Sequence, residues 1–215
     1  FNTVTQNHSF VGGGSRNTSS GNYSAIAAGL SGKANGNNSF VGGGKCNVAD
    51  DISSSVVGGE LNKATAQFTT IGGGQCNTAS NSASNVGGGI KNVASGEFTT
   101  VGGGQCNTAS GNKSGILGGR KNTASGNYSA IVGGLSSKAC GSNSFVGGGS
   151  KNVAGINSTV VGGQLNKATG QFAAIGGGCS NTASGFGSGI LGGRSNTVTH
   201  GCSFIIGDEI TSGAA

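Results

Sequence analysis

The chain of 215 residues contains no proline, methionine or tryptophan, and only 8% of its residues are charged. Just 33% are hydrophobic, which argues against the core of an ordinary globular domain. Collagen is excluded because proline is absent and glycine does not recur at every third residue. No hydrophobic run approaches the ~20 residues that span a bilayer, so we expect no direct membrane insertion.

Residue types that carry catalysis or bind metals are also scarce. With six acidic residues and no G-G-x-G-x-D nonapeptide, a calcium-binding roll is disfavoured. His8 and His200 lie near opposite ends of the chain, and paired carboxylates such as Asp50 and Asp51 diverge on a strand. No glycine triplet belongs to a G-x-x-x-x-G-K-[ST] phosphate-binding motif. We predict no enzymatic activity, cofactor or metal site.

What the chain does contain is a fifteen-residue motif, N-x-A-x-G-x-x-S-x-V-x-G-G-x-x, whose positions are numbered here from the asparagine. Glycine is confined to fixed positions, and this regularity excludes the disorder that glycine-rich composition would otherwise indicate. So short a repeat cannot bury its own apolar face, so its copies must stack. The fourteen copies begin at residues 2, 17, 32, 47, 62, 77, 92, 107, 122, 137, 152, 166, 181 and 196.

Two short strands are predicted in each copy. Position 10 is always Val or Ile, which is typical of a strand, and position 3 is Ala in eleven copies. Positions 8 (Ser or Thr), 10 and 12 (Gly) share a parity, so we expect all three to face one thin interior. The predicted core ladder consists of Val11, Ile26, Val41, Val56, Ile71, Val86, Val101, Ile116, Ile131, Val146, Val160, Ile175, Ile190 and Ile205.

The turns are predicted from asparagine and glycine. Asn occupies position 1 in twelve copies, where it is expected to hydrogen-bond the next coil's backbone and to tolerate a left-handed conformation. Gly at position 13, missing only at Asp208, is expected to supply a positive φ. These features predict an all-β, left-handed parallel β-roll (a β-solenoid) of about fourteen coils.

The sequence also contains a longer repeat, made of several fifteen-residue copies. Residues 17–49 reappear at 122–154, an offset of 105 residues or seven coils. This internal duplication predicts a single solenoid domain over residues 1–210, followed by a terminal tail or junction at 211–215. Because the chain begins at Phe1, we interpret it as a mature fragment or an excised segment.

Eleven of the twelve basic residues fall at positions 14, 15 or 2, which in a solenoid form one edge. Such an edge either serves solvation and protection against edge-to-edge aggregation, or binds an anionic partner such as a glycan. No aromatic residue is interleaved with it, so nucleic acid is not expected. The candidate surface-contact residues are Arg16, Lys45, Lys91, Arg120, Lys121, Lys151 and Arg194, with Tyr23 and Tyr128 at position 7.

Position 11 is opposite in parity to the core, yet it carries aliphatic side chains in several coils. A monomer would leave them on its surface, and phenylalanines at position 9 mostly accompany glycine at position 11. Scattered exposed apolar residues are one explanation; interlocking with another chain is the other. The candidate trimer interface is Val57, Leu117, Val132, Val161, Leu191 and Ile206.

The six cysteines do not suggest a disulfide framework within the chain. Cys46, Cys76 and Cys106 share position 15 at intervals of two coils, or ~9.6 Å, which exceeds the ~7 Å limit for bonding. We predict free thiols, with disulfides between chains as the alternative.

Residues 124–149, ASGNYSAIVGGLSSKACGSNSFVGGG, resemble the A-x-G-x-x-S-x-A-I-G head repeats of YadA-type trimeric autotransporter adhesins, also called haemagglutinin-like repeats. Similar repeats occur in fibres of phages and large viruses. The resemblance covers nearly the whole chain. It implies a left-handed β-roll in a parallel homotrimer, a structural or adhesive module of a cell or virion surface. Its expected location is extracellular, and its expected partner is a host or cell-surface receptor or an anionic glycan.

An alternative function is ice binding. Positions 2 and 4 carry Thr-x-Ser/Thr in seven coils, which resembles ice-binding solenoids with flat ranks of threonine, although lysines such as Lys33 and Lys63 interrupt the rank. The alternative ice face is Thr3, Thr18, Thr78, Thr108, Thr123, Thr182 and Thr197.

Overall fold

The computed structural model describes residues 1–212, and none of these residues is helical. Contacts between residues divide the chain into two compact units, 1–107 and 108–215, and each is described by itself. Each unit is a stack of parallel two-stranded coils, and together they hold about fourteen turns of β-solenoid. The all-β solenoid predicted from the repeat is confirmed, whereas its left-handed sense and its trimeric assembly stay predictions.

Every coil places one strand at positions 2–3, in sheet A, and one at positions 9–10, in sheet B. In the first unit, sheet A contains β1 (Thr3–Val4), β3 (Thr18–Ser19), β5 (Lys33–Ala34), β7 (Val48–Ala49), β9 (Lys63–Ala64), β11 (Thr78–Ala79) and β13 (Val93–Ala94). Its sheet B contains β2 (Phe10–Val11), β4 (Ala25–Ile26), β6 (Phe40–Val41), β8 (Ser55–Val56), β10 (Thr70–Ile71), β12 (Asn85–Val86) and β14 (Thr100–Val101).

The second unit repeats this arrangement. Its sheet A contains β15 (Thr108–Ala109), β17 (Thr123–Ala124), β19 (Lys138–Ala139), β21 (Val153–Ala154), β23 (Lys167–Ala168), β25 (Thr182–Ala183), β27 (Thr197–Val198) and β29 (Thr211–Ser212). Its sheet B contains β16 (Gly115–Ile116), β18 (Ala130–Ile131), β20 (Phe145–Val146), β22 (Thr159–Val160), β24 (Ala174–Ile175), β26 (Gly189–Ile190) and β28 (Phe204–Ile205).

Within each unit the strands pair in parallel, and each residue faces the same repeat position in the next coil. Ile71 pairs with Val86 in sheet B, and Ala79 pairs with Ala94 in sheet A. A third row of parallel bridges runs through position 14. Because the register never slips, every position of the repeat becomes a line of equivalent side chains.

The interior is as narrow as the repeat predicts. Thirteen residues of the core ladder are buried, and the fourteenth, Val11 in the first coil, is half-buried. Position 3 packs opposite them, buried from Ser19 to Val198. Hydroxyls at position 8 close the adjacent turn: Ser24 donates to the Gly21 carbonyl at 2.7 Å and Thr69 to that of Ala66 at 2.6 Å. The hydroxyls of Ser39, Ser129 and Ser144, at the same position, are buried without a hydrogen-bond partner among the residues that the structure describes.

The expectation that position 12 faces this interior is wrong. The strand is only two residues long, so the chain has already turned away at position 12 and parity no longer applies. A Cβ added at Gly58, Gly73 or Gly118 would meet no atom within 4 Å. Glycine at this position therefore faces open space.

The asparagines at position 1 form a buried ladder, as predicted. The Asn77 side chain donates to the carbonyls of Gly73 at 2.9 Å and Gly89 at 2.8 Å, and its Oδ1 accepts the Asn92 amide at 2.9 Å. Each such side chain thus joins three successive copies of the repeat: the turn that ends the copy before it, the turn of its own copy, and the first residue of the copy after it. Asn17, Asn47, Asn62, Asn166, Asn181 and Asn196 repeat this set of contacts.

The ladder also sets the shape of the turn before it. In the eleven coils where the glycine at position 13 precedes an asparagine by three residues, its φ lies between 81° and 90°. Where the asparagine is replaced by Gly32, Ser137 or Ile210, the φ of the glycine is 123°, 101° or 142°. We infer that the asparagine amide holds the carbonyl at position 12 and so fixes the turn.

The asparagines do not adopt the left-handed conformation that the sequence suggested for them. Instead, 27 non-glycine residues at positions 7 and 15 have φ between 51° and 61°. Each position-7 or position-15 amide reaches back to the previous coil, as when Lys91 donates to Gln75 at 2.9 Å. No Val, Ile or Thr occurs at either position, which agrees with the steric cost of this conformation for β-branched side chains.

The last coil is one residue shorter than the sequence register suggested. The Glu209 amide donates to the Arg194 carbonyl, a bond that position 15 makes in other coils. Gly207, with a φ of 142°, therefore takes position 13, and the interpretation of Asp208 as its replacement is wrong. Thr211 and Ser212, assigned from sequence to a terminal tail or junction, form β29; the remainder of that segment, 213–215, lies outside the described residues.

Removing one asparagine of the ladder should destabilise the solenoid strongly. Asn77→Ala leaves two carbonyls and one amide without their partner, and each buried unsatisfied group costs about 1–3 kcal/mol. Asn85→Ala makes the same change at an exposed strand position and should cost less than about 0.5 kcal/mol. Urea unfolding midpoints measure both; equal midpoints would show that the ladder does not stabilise the coil.

A β-branched residue at position 15 should also be costly. Lys91 has a φ of 54°, so Lys91→Val should lower the free energy of unfolding by about 1–3 kcal/mol. Lys63→Val places the same residue at position 2, which holds valine in other coils, and should be nearly neutral. Thermal unfolding of the two variants compares them directly, and a neutral Lys91→Val would contradict the turn geometry.

Candidate functional surfaces

Each coil presents four separate surfaces to solvent. Two are turns: the 6/7 turn, at positions 5–8, and the 14/15 turn, at positions 12–15. The others are the outer faces of the sheets, position 2 on sheet A and positions 9 and 11 on sheet B. Since the register is constant within each unit, each surface is a continuous row of side chains.

The basic edge, defined as Arg16, Lys45, Lys91, Arg120, Lys121, Lys151 and Arg194, lies along the 14/15 turn, and all seven side chains are exposed. Two of them pair with carboxylates of the next coil: Lys45 with Glu60 at 3.1 Å and Arg194 with Glu209 at 3.2 Å. The hydrogen bond to Glu60, followed by the charge of Glu60, raises the pKa of Lys45 above its ordinary value of 10.5. The positive charge of the edge is therefore partly neutralised within the chain.

The structure does not bring the candidate tyrosines to this edge. Tyr23 and Tyr128 are 62% and 57% exposed, as a contact residue requires, but they lie at position 7 in the other turn. The two sets belong to different edges of the coil.

The 6/7 turn instead carries an aromatic cluster of its own. The rings of His8 and Tyr23 stack with centroids 4.9 Å apart and an interplanar angle of 9°. In the second unit Lys113 lies over the Tyr128 ring, with Nζ 5.1 Å from the centroid and 3.3 Å from the hydroxyl. An open depression of about 400 Å³ accompanies the first cluster, and it is lined by Asn7, His8, Asn22, Tyr23, Asn37 and Asn38.

The outer face of sheet B carries no charged residue at position 9 or 11 in any coil, and its polar residues at these positions are Ser55, Thr70, Asn85, Thr100 and Thr159. All six candidate interface residues (Val57, Leu117, Val132, Val161, Leu191 and Ile206) lie on it and are 45–66% exposed. Phenylalanine at position 9 lies beside the glycine at position 11. A Cβ on Gly12 would be 3.1 Å from the Phe10 ring, and one on Gly42 would be 3.3 Å from that of Phe40.

The threonines of the alternative ice face share the outer face of sheet A, but they do not form one rank. Thr3 pairs with Thr18, and then Lys33 follows. The same order returns in the second unit, where Lys138 follows the pair of Thr108 and Thr123. The longest run is Thr182, Thr197 and Thr211, and Thr78 lies between Lys63 and Val93. Ice binding stays a prediction from sequence, and the exposed lysines interrupt the flat surface that it requires.

The six cysteines, which all lie in the described part of the chain, form no disulfide with one another within the chain. Interchain disulfides stay a prediction. Residues 1–212 hold no cluster of three or more His, Cys, Asp or Glu that suits a metal ion. Over the same residues, no helix has the length and apolarity that crossing a bilayer requires.

In comparisons with known proteins, the chain matches no family model and no curated sequence.

The pairing of Lys45 with Glu60 can be tested by titration. The ammonium of Lys45 should lose its proton above pH 10.5, and Glu60→Gln should lower that pKa by removing the charged hydrogen-bond acceptor. Because the folded-state pKa is raised, the ion pair is complete at neutral pH and is lost as the pH rises through that pKa. NMR of the lysine side chain measures the value in both proteins; an unchanged pKa in the variant would rule out the pairing in solution.

Proposed function

We propose that this chain is a structural and adhesive module of a surface appendage, an adhesin head or a virion fibre, that assembles as a homotrimer. The observation that carries the proposal is the row of exposed aliphatic side chains on the charge-free outer face of sheet B. An apolar row of this kind on a monomer would be exposed to water along its length, whereas a second copy covers it. The assignment places the protein outside the cell.

The internal duplication supports this role for the face. Equivalent coils of the two blocks keep Val or Ile at position 10, but four of the seven pairs differ at position 11 in one direction. Glycine or alanine in the first block becomes a large aliphatic residue in the second: Gly12 and Leu117, Ala27 and Val132, Gly87 and Leu191, Gly102 and Ile206. Three of these four pairs also exchange Val for Ile at position 10, but the side chains at position 11 are exposed, so we infer that a contact outside the coil accounts for them.

Assembly would also allow a chain whose individual binding sites are weak to bind a surface strongly. Three copies joined in one body present each row outside the interface three times, so weak contacts act together through effective concentration. The partly neutralised basic edge suits weak attraction to an anionic glycan or an acidic receptor surface. The proposed partners are therefore other copies of the chain and a host or cell surface.

The mass of the protein in solution tests the assembly. Light scattering should give three times 20.4 kDa for residues 1–215. Val161→Lys, which would bury a lysine in the interface, should shift the mass toward a single chain. Val153→Lys is the matched control, because it makes the same change in the same coil at position 2, where Lys138 and Lys167 already flank it.

A single-chain mass for the unmodified protein would overturn the trimer. Retention of the trimer by Val161→Lys would remove the outer face of sheet B as its interface. Repeating the measurement with reductant separates noncovalent assembly from disulfides between chains, because only the latter are lost.

A further inference from the structure

We propose that the 6/7 turn of the first three coils is a saccharide-binding site that takes a neutral hexopyranose unit. The site is the depression lined by Asn7, His8, Asn22, Tyr23, Asn37 and Asn38. This inference deepens the proposed adhesive function by naming a ligand class. It rests on that function only for its biological role.

The shape and size of the depression suit a sugar. Its volume of about 400 Å³ falls in the range of small-ligand sites, about 300–1,000 Å³, but it is open to solvent at the edge of the coil. A terminal sugar of a longer glycan requires such openness, because the rest of the chain must leave the site. Five of the six lining residues are exposed, and Asn22 is half-buried.

The chemistry of the lining also matches a pyranose. The C–H face of a sugar ring packs on an aromatic side chain, and Tyr23 offers a ring that is already oriented by stacking on His8. Sugar hydroxyls both donate and accept hydrogen bonds, as asparagine amides do, and four of the six lining residues are asparagine. None of the six is Lys, Arg, Asp or Glu, so the lining favours a neutral sugar over a sulfated or sialylated one.

Part of the polar lining is held in place. The Asn22 amide donates to Asn37 Oδ1 at 3.0 Å, which points one end of the Asn37 side chain at the neighbouring coil. The Nδ2 group of Asn37 is then left to donate elsewhere. The backbone at position 7 is held by the neighbouring coil, since the Tyr23 amide donates to the Asn7 carbonyl at 3.1 Å and the Asn38 amide to the Asn22 carbonyl at 2.9 Å. Binding therefore requires little ordering of the chain.

The duplication supplies a second copy of the frame with two changes, at the residues that correspond to His8 and Asn37. Ser142 stands where Asn37 stands, while Tyr128 corresponds to Tyr23, and the Asn112 backbone amide donates to Asn127 Oδ1 at 3.0 Å. Lys113 stands where His8 stands in the first copy, and its ammonium contacts both the ring and the hydroxyl of Tyr128. The second copy therefore brings a charge to the tyrosine and should bind a neutral sugar more weakly.

The test uses the full chain and four neutral probes: methyl β-galactopyranoside, methyl β-glucopyranoside, methyl α-mannopyranoside and N-acetylglucosamine. Each is titrated to about 20 mM, which detects dissociation constants in the millimolar range. At least one should shift the NMR signals of the Asn22, Asn37 and Asn38 side-chain amides. Tyr23→Ala should weaken that binding about tenfold, whereas Tyr128→Ala, the same change in the second copy, should leave it unaltered.

Lys113→His combined with Ser142→Asn reverses both differences and provides a gain-of-function arm, since the double variant should bind the sugar at Asn127 and Tyr128. The inference is overturned if none of the four sugars shifts the first-site amides, or if Tyr23→Ala binds as the unmodified chain does. Binding only of a heparin disaccharide along the basic edge would overturn it as well. Light scattering on the same samples keeps the two proposals apart: sugar binding by a single chain contradicts only the trimer, and a trimer without sugar binding contradicts only this site.

Discussion

The buried asparagine side chain is the interaction on which the stacking of coils depends. Strands of two residues supply few backbone hydrogen bonds. The carbonyls at positions 12 and 13 lie in a turn outside the strands, so they accept hydrogen bonds from donors other than strand amides. The Nδ2 group at position 1 donates to both, while Oδ1 accepts an amide of the next coil. One side chain therefore sets the shape of the turn and the spacing between coils, two quantities that a glycine-rich backbone would otherwise leave loose.

Fixing the coil in this way separates its surfaces. Because the interior needs only positions 1, 3, 8 and 10, the outward positions are free to differ from coil to coil. The left-handed positions 7 and 15 exclude β-branched residues but accept aromatic rings, cysteine and lysine. Aromatic side chains such as Tyr23 thus collect at one turn and basic ones such as Lys91 at the other. The residues of a binding surface in this fold therefore share a repeat position and lie side by side on the outside of successive coils.

Much of the fold could be predicted from the sequence, because an unbroken row of Val and Ile at position 10 has few explanations other than a buried strand. The surfaces were harder to predict. The alternation of side chains along a strand did not predict the direction of position 12, because each strand of sheet B has only two residues and ends at position 10. The left-handed conformation was predicted for Asn at position 1. The absence of Val, Ile and Thr at positions 7 and 15 was the pattern that indicated its true location. The stacking of His8 on Tyr23 was missed, although both residues occupy position 7 of adjacent coils and the ~4.8 Å spacing of parallel strands places them side by side.

The two seven-coil blocks show where function is to be sought. Between them the interior changes little in size: position 10 stays Val or Ile in every coil, and position 3 stays Ala, Ser or Val. The differences concentrate outside, where His8 corresponds to Lys113 and Gly12 to Leu117. A repeat that served only as a spacer would have no reason to gain large aliphatic residues on a face that its own coils never cover. The divergence of position 11 toward apolar residues, on a face without charge, therefore points to a partner surface, and the change at position 7 points to a ligand of the other edge.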